Sequence, residues 1–157
     1  MTIIAPTPRI MIVEGRFYKE LADEMSAGAI DAVEAANAEF ECVPVPGAFE
    51  IPAAIKFAIK AMEIDPSHRR FDGYIALGCV IRGETTHYDY VCGESARGLM
   101  DLSKQYSLAI GYGILTCENS EQAWARASRE GGNKGAVAAN ACLEMIRMKT
   151  SFGLFPR

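Results

Sequence analysis

The feature that most constrains this fold is the alternation of four short apolar segments with segments of helical periodicity. Residues 10–13, 40–45, 74–81 and 108–115 are the predicted strands. After each of them, apolar side chains recur at three- and four-residue spacing, which is typical of helices that cover a sheet. Strands that alternate with helices form parallel sheets buried on both faces. The pattern therefore predicts a three-layer α/β/α sandwich around a parallel four-stranded sheet.

The order of these elements favours a flavodoxin-like sandwich, and we expect residues 1–157 to form one domain. The chain is half hydrophobic by composition, so it can bury a substantial core. Ser120 is predicted to cap a helix whose inward face carries Ala123, Trp124 and Ala127. A break at residues 131–133 precedes a last helix, predicted over residues 134–149, whose inward side chains are Ala139, Cys142, Leu143 and Ile146.

Composition and charge argue against several classes of partner. The net charge of −4 and the absence of a long basic run argue against nucleic acid. No signal-peptide pattern and no apolar run of ~18 residues is present, so we expect no membrane partner. The five cysteines are odd in number and lie mostly in apolar segments, which favours buried thiols in a reducing compartment. These features predict a soluble cytoplasmic protein.

Residues 76–91 join the predicted central strand to a helix through a polar corner, Arg82-Gly-Glu-Thr-Thr-His87. In open α/β sheets, ligands bind beyond the carboxyl ends of the strands. The corner also lies at a helix N-terminus, where free backbone N–H groups and the helix dipole favour an anion. No nucleotide-binding glycine loop and no metal-ligand spacing is present. The sequence thus predicts an anion site after the third strand.

Aromatic residues occur in the corners after the first two strands, within residues 15–17 and 45–50. Phe17 and Phe49 are either core aromatics or rings that stack on a planar ligand. Their position in glycine-containing corners, outside the periodic helix faces, keeps both interpretations open. Glu50 suits the N-terminus of its helix without any substrate.

Three further residues have both a functional and an ordinary interpretation. His87 is either a surface or capping histidine or a proton-transfer group beside the anion site. Its neighbours in the polar corner favour proton transfer. Arg126 and Lys134 flank the break at residues 131–133 and are either exposed cations or partners of an anionic substrate.

Several motifs resemble those of the lumazine synthase family, whose members catalyse the penultimate step of riboflavin biosynthesis. They are Val-Pro-Gly-Ala-Phe-Glu-Ile-Pro at residues 45–52, the stretch 76–91, Gly-Ile-Leu-Thr at 113–116 with Glu118-Asn119, and Asn-Lys-Gly at 133–135. Their order and spacing match the family from about residue 9 to residue 149. The Arg-Gly-x-Thr-Thr-His-Tyr-Asp motif is highly specific.

The resemblance implies a cofactor-free reaction of two small-molecule substrates. 5-Amino-6-(D-ribitylamino)uracil condenses with 3,4-dihydroxy-2-butanone 4-phosphate to give 6,7-dimethyl-8-ribityllumazine, phosphate and water. The proton-transfer histidine of the family falls on His87. The residues that would bind the ribitylaminouracil are Phe17, Ala48, Phe49, Glu50, Cys79, Val80, Ile81 and Tyr112, which stands where the family often has phenylalanine. The residues that would bind the butanone phosphate are Gly83, Glu84, Thr85, Thr86, Arg126 and Lys134.

The resemblance also implies a homo-oligomer, a pentamer that in some members forms a 60-subunit icosahedral shell, with riboflavin synthase as a candidate partner. Each site would lie between subunits, with Phe17, Phe49 and His87 on one side and Tyr112, Arg126 and Lys134 on the other. Small residues in the last helix favour close approach of another backbone, and we expect at least a pentamer. These residues are Gly135, Ala136, Ala138, Ala139 and Ala141.

Two other functions share parts of this pattern. A flavodoxin-like flavin-binding or electron-transfer module would have the same fold, and a non-catalytic shell protein would have the same packing faces. The first would copurify with a yellow, redox-active flavin. The second would tolerate the loss of His87 and Arg126.

Overall fold

A computed structural model describes residues 6–68 and 70–154. Within these residues the strands are β1 (Arg9–Gly15), β2 (Glu39–Val45), β3 (Gly73–Ile81) and β4 (Ile110–Cys117). They form a four-stranded, all-parallel sheet in the order β2-β1-β3-β4. The predicted fold class is confirmed.

Five helices surround this sheet in the described part of the chain. They are α1 (Lys19–Ala35), α2 (Ile51–Ile64), α3 (His87–Tyr106), α4 (Ser120–Ala127) and α5 (Lys134–Ser151). A single 3-10 turn, Ala48–Glu50, precedes α2. Pro52 is tolerated in the first turn of α2 because the N–H it lacks would have no partner within the helix.

Each face of the sheet carries its own apolar core. Ile10 and Ile12 of β1 pack on the side of α1, α4 and α5, whereas Met11 and Val13 pack on the side of α2 and α3. This alternation follows from the two-residue period of a strand. The predicted inward residues of α5 are buried in the first core, which confirms the helical period assigned to that segment.

The fourth strand begins two residues later than predicted. Ser107 ends α3 in the left-handed conformation, with φ 53°. The N–H of Leu108 then donates to the Ser103 carbonyl at 3.0 Å, so Leu108 closes the turn that follows α3 and does not join β4. At its other end β4 continues to Cys117, which is paired with Ile81 of β3. Apolar residues flank both boundaries, so their pattern alone did not place the strand.

The start of α4 also differs from the prediction. Asn119, not Ser120, is the N-cap, and its side-chain oxygen accepts from the backbone N–H of Gln122 at 2.8 Å. Of the predicted inward residues, Ala123 and Ala127 are fully buried, but Trp124 is 39% exposed. A helix of eight residues offers only a narrow buried stripe, and the two alanines occupy it.

Helices α1 and α5 pack in close contact because small residues line their interface. A Cβ atom at Gly135 would lie 2.0 Å from the carbonyl oxygen of Met25 in α1. Ala138 and Ala139 are buried as well, and Ala138 packs against the glycines of β4. At Gly135 the backbone that approaches therefore belongs to α1 of the same chain, whereas Ala141 is exposed. Contact of this helix with another subunit stays a prediction.

Gly135→Ala is expected to lower the apparent midpoint of thermal unfolding, since the added methyl group has no space beside α1. Overpacking of this kind costs about 1–3 kcal/mol. Gly93→Ala is the matched control, because Gly93 also lies in a helix and a Cβ there would have no neighbour within 4 Å. The control gains about 1 kcal/mol of helix propensity at most. Equal midpoints for the two variants would contradict the close packing.

Candidate active site

A crevice opens at the carboxyl edge of the sheet between β1 and β3. The chain runs outward from β1 to β2 on one side and from β3 to β4 on the other, so the strand order reverses here. The last β1–β3 pair is Glu14 with Leu77, whereas β3 continues to Ile81. The backbone of residues 79–81 therefore lacks a strand partner on the β1 side. Crevices at such a reversal are the usual ligand sites of open α/β sheets.

The crevice widens into a cleft of about 720 Å³ with a largely apolar lining. It brings together ten of the predicted site residues, which are Phe17, Ala48, Phe49, Glu50, Cys79, Val80, Ile81, Gly83, Thr85 and His87. They come from the corners after three different strands. The close contact of two glycines joins the first two corners, because a Cβ at Gly15 would lie 3.0 Å from the carbonyl carbon of Gly47.

The two phenylalanines of the cleft are surface residues. Phe17 is 73% exposed and Phe49 is 59% exposed, so the interpretation of these rings as core aromatics was wrong. The ring of Phe17 contacts Tyr18 edge to face, with 4.9 Å between centroids. Exposed rings beside a cleft offer apolar faces to a planar ligand.

His87 is the first residue of α3, at the mouth of the cleft. Its side chain is exposed, and its backbone N–H lies 3.3 Å from the Thr85 hydroxyl oxygen. The side chain of the N-cap residue Thr86 makes no capping hydrogen bond, and the start of a 20-residue helix is a position that favours an anion. An imidazole in this position can transfer a proton to or from a molecule in the cleft.

Arg82 lies in the same polar corner but does not line the cleft. Its Nε donates to Glu118 Oε2 at 2.8 Å, and its guanidinium carbon lies 4.2 Å from the centre of the Tyr88 ring. The hydrogen bond to Glu118 is the main cause of the raised pKa of Arg82. The Arg82 guanidinium thus binds Glu118 and packs on Tyr88 of the same chain, outside the cleft lining.

Five predicted site residues lie outside the cleft of this chain, namely Glu84, Thr86, Tyr112, Arg126 and Lys134. Glu84 and Thr86 are exposed members of the polar corner. Arg126 lies on α4, where its Nη1 donates to the Gln122 carbonyl at 3.0 Å. Lys134 begins α5, and Tyr112 is a half-exposed residue of β4. Among the described residues, the cleft lining contains no lysine or arginine.

Six lining residues were missed by the sequence analysis: Tyr18, Pro46, Gly47, Tyr88, Tyr90 and Val91. Pro46 and Gly47 directly precede the predicted site residues 48–50, so their position in the second corner could have identified them as lining residues. Tyr88 and Val91 lie at the start of α3, which borders the cleft. Tyr18 follows a predicted site residue directly, and burial raises the pKa of its phenol.

The cysteines behave as buried neutral thiols at the site. Cys79 and Cys117 are buried, and burial is the main cause that raises the pKa of Cys79 to about 12. At neutral pH this thiol is protonated, which excludes it as a ready nucleophile. The described residues contain no group of three or more histidine, cysteine, aspartate or glutamate side chains that could hold a metal ion. Nor does any described helix combine the length and apolarity of a membrane span.

Comparison with known proteins gives consistent matches over most of the chain. A sequence model of the family described as 6,7-dimethyl-8-ribityllumazine synthase matches residues 7–150. 6,7-Dimethyl-8-ribityllumazine synthase 1 of Rhizobium meliloti is 56% identical over 92% of this chain and 93% of the relative. The synthase of Bartonella tribocorum is 51% identical over 93% of both chains. That of Agrobacterium fabrum is 51% identical over 93% of this chain and 97% of its own.

Proposed function

This chain belongs to the 6,7-dimethyl-8-ribityllumazine synthase family, and we propose that its cleft binds the ribitylaminouracil substrate at an interface between two subunits. The enzyme condenses 5-amino-6-(D-ribitylamino)uracil with 3,4-dihydroxy-2-butanone 4-phosphate in the penultimate step of riboflavin biosynthesis. The observation that carries the proposal is a cleft lined by three exposed aromatic rings, those of Phe17, Phe49 and Tyr90, and, among its described lining residues, by no lysine or arginine.

The lining of the cleft suits the flat, hydrogen-bonding aminouracil. The exposed ring of Phe17 supplies an aromatic face for the pyrimidine. The unpaired backbone side of residues 79–81 supplies donors and acceptors for its polar edge. Ala48, Phe49 and Glu50 face the same space and would contact the ribityl chain. This substrate needs no cation, which agrees with the composition of the lining.

The butanone phosphate carries a dianion and needs donors that the cleft of one chain does not supply. We assign the phosphate to the N–H groups of residues 83–86 at the start of α3, together with Arg126 and Lys134 of a neighbouring subunit. Tyr112 of that neighbour would be the second aromatic wall. The side chain of Glu84 is exposed, so in our proposal its N–H faces the phosphate while its carboxylate points to solvent.

His87 would transfer protons as the amine attacks the ketone, phosphate leaves and the ring closes. Most of the rate enhancement would come from holding two reactive molecules together, since orientation lowers a barrier by several kcal/mol. The histidine then assists the reaction without being indispensable.

A shared site requires an assembly, and we propose a homo-pentamer as its smallest form. Large apolar side chains such as Phe57 and Met100 are exposed in the single chain and supply surface for such contacts. A 60-subunit shell and a contact with riboflavin synthase would use further surfaces. We also propose that the enzyme works in the cytoplasm, since its five cysteines are free thiols.

Arg126→Ala is expected to raise the KM for the butanone phosphate by about 10- to 100-fold, because it removes a charge-assisted contact to the dianion. The KM for the ribitylaminouracil should change by less than about threefold, since that substrate carries no phosphate. The measurement is the initial rate of lumazine formation, followed by its blue-green fluorescence with each substrate varied in turn. Arg147→Ala is the control, because Arg147 is an exposed arginine paired with Glu144. Equal weakening of both substrates would count against the phosphate assignment.

A further inference from the structure

Arg16 occupies the corner between β1 and α1, directly before Phe17. Its side chain is not part of the cleft lining. The side chain of Arg16 is only 29% exposed, which is unusual for an arginine in a surface corner. The contacts that hold it link three elements of the fold.

The backbone and the side chain of Arg16 bind different elements. Its N–H donates to the Val45 carbonyl at the end of β2, at 3.0 Å. Its Nη2 donates to Asp23 Oδ1 in α1 at 2.5 Å, and its Nη1 lies 3.7 Å from Glu14 Oε1 in β1. The hydrogen bond that Arg16 donates to Asp23 is the main cause of the raised pKa of Arg16.

Glu14 extends this set of contacts into the protein. Its side chain is 12% exposed and accepts a hydrogen bond from the buried Ser26 hydroxyl of α1. A carboxylate this deeply buried is stable only with such partners. The Glu14 carboxylate thus contacts both Arg16 and the buried Ser26. The residue before Phe17 is therefore held through its side chain by Glu14 and Asp23 and through its backbone by Val45.

The side chain of Phe17 is mostly exposed to solvent. It is 73% exposed, and its ring contacts Tyr18 edge to face. A ring that moves freely in the empty site must be immobilised when substrate stacks on it, and this entropy loss weakens binding. A fixed backbone at Arg16 reduces the number of orientations open to the ring.

We propose that Arg16 is a positioning residue for the ribitylaminouracil, acting through Phe17. Its ion pairs with Asp23 and Glu14 and its backbone bond to Val45 hold the corner in the conformation that presents the ring to the cleft. The inference rests on the proposed function, in which Phe17 stacks on the pyrimidine. Arg16 is not among the residues that line the cleft, and its guanidinium is paired with Asp23 and Glu14.

The test is a double-mutant cycle of Arg16→Gln and Phe17→Ala in the full, assembled chain. Arg16→Gln is expected to raise the KM for ribitylaminouracil by about three- to tenfold, with kcat and the KM for the butanone phosphate within about twofold. Phe17→Ala should raise the same KM by about 10- to 100-fold. The double variant should match Phe17→Ala alone, because Arg16 has nothing to position once the ring is gone. Arg16→Lys, which keeps a cation for Asp23, should recover part of the loss.

Arg97→Gln is the matched control, since Arg97 also pairs with two carboxylates, Glu94 and Asp101, and lies away from the cleft. It should leave every KM unchanged. If Arg16→Gln does not assemble, Asp23→Asn removes the main partner of Arg16 from a 68%-exposed position and should give the same selective rise.

Additive effects of Arg16→Gln and Phe17→Ala would overturn the inference, because Arg16 would then act independently of the ring. An unchanged KM in Arg16→Gln, together with a raised KM in Phe17→Ala, would overturn it as well while leaving the stacking role intact. An unchanged KM in Phe17→Ala would instead overturn the stacking role itself, and with it the inference.

Discussion

His87→Ala is expected to lower turnover at saturating substrate by about 10²- to 10⁴-fold, the span of general acid–base catalysis. The imidazole lies at the start of α3 beside the cleft, and no other histidine lies among the residues that line it. Activity above the uncatalysed rate should remain, since the two substrates are still held together. The fluorescence assay for lumazine measures both quantities.

The chain provides a matched control for this substitution. His68 is its second histidine and lies in the loop after α2, where its side chain is 57% exposed and hydrogen-bonded to Asp65. His68→Ala should leave turnover unchanged. Both variants should keep the thermal midpoint of the parent, because neither side chain is buried. Normal turnover in His87→Ala with both substrates saturating would remove the histidine from the mechanism.

Mixing His87→Ala and Arg126→Ala chains, each weakly active when the butanone phosphate is far below the KM of the Arg126→Ala chain, is expected to restore activity after dissociation and reassembly. If each site takes His87 from one subunit and Arg126 from the next, a random pentamer of the two variants contains some sites with both groups. In a cyclic, head-to-tail ring mixed in equal parts, this fraction is about one quarter. Activity should therefore rise from the residual level of either parent to about a quarter of the unmodified enzyme.

A second mixture provides an independent test of whether each site is shared between two subunits. Chains that carry both substitutions are mixed in equal parts with unmodified chains. Shared sites would leave about a quarter of the sites intact, whereas sites within one subunit would leave about half. Mass spectrometry of the intact assemblies verifies the mixing. Verified mixed pentamers of the single variants that stay as inactive as their parents would place both groups in one subunit.

Much of the architecture is determined by the sequence alone. The alternation of residues such as Ile10 and Met11 to opposite faces of β1, and the three-and-four spacing in α5, follow from the local geometry of strands and helices. Parallel order then places every strand's carboxyl end at one edge. For this reason the sequence was sufficient to predict the sheet, the helices and the edge that carries the corners.

The sequence also predicted most of the residues that line the cleft, because its polar corner and its aromatic corners are continuous segments with distinctive residues. The ten predicted residues that line the cleft lie in three such segments. Their chemical roles stay predictions. The family resemblance rests on the same segments, and the matches to known synthases over residues 7–150 agree with it.

Only the tertiary structure decided which distant groups meet. Arg82 is hydrogen-bonded to Glu118, and Gly135 packs against Met25, although each pair is far apart in the chain. The exposure of Phe17 likewise depends on how the whole chain packs. A local sequence pattern predicts the period of a helix or strand, but it does not predict which element packs against its apolar face. The small residues of α5 show this, since their pattern permits a close neighbour and only the packed chain identifies α1 as that neighbour. The proposed role of Arg16 could likewise be inferred only from the tertiary structure, because the fold brings the carboxylates of Asp23 and Glu14 to its guanidinium.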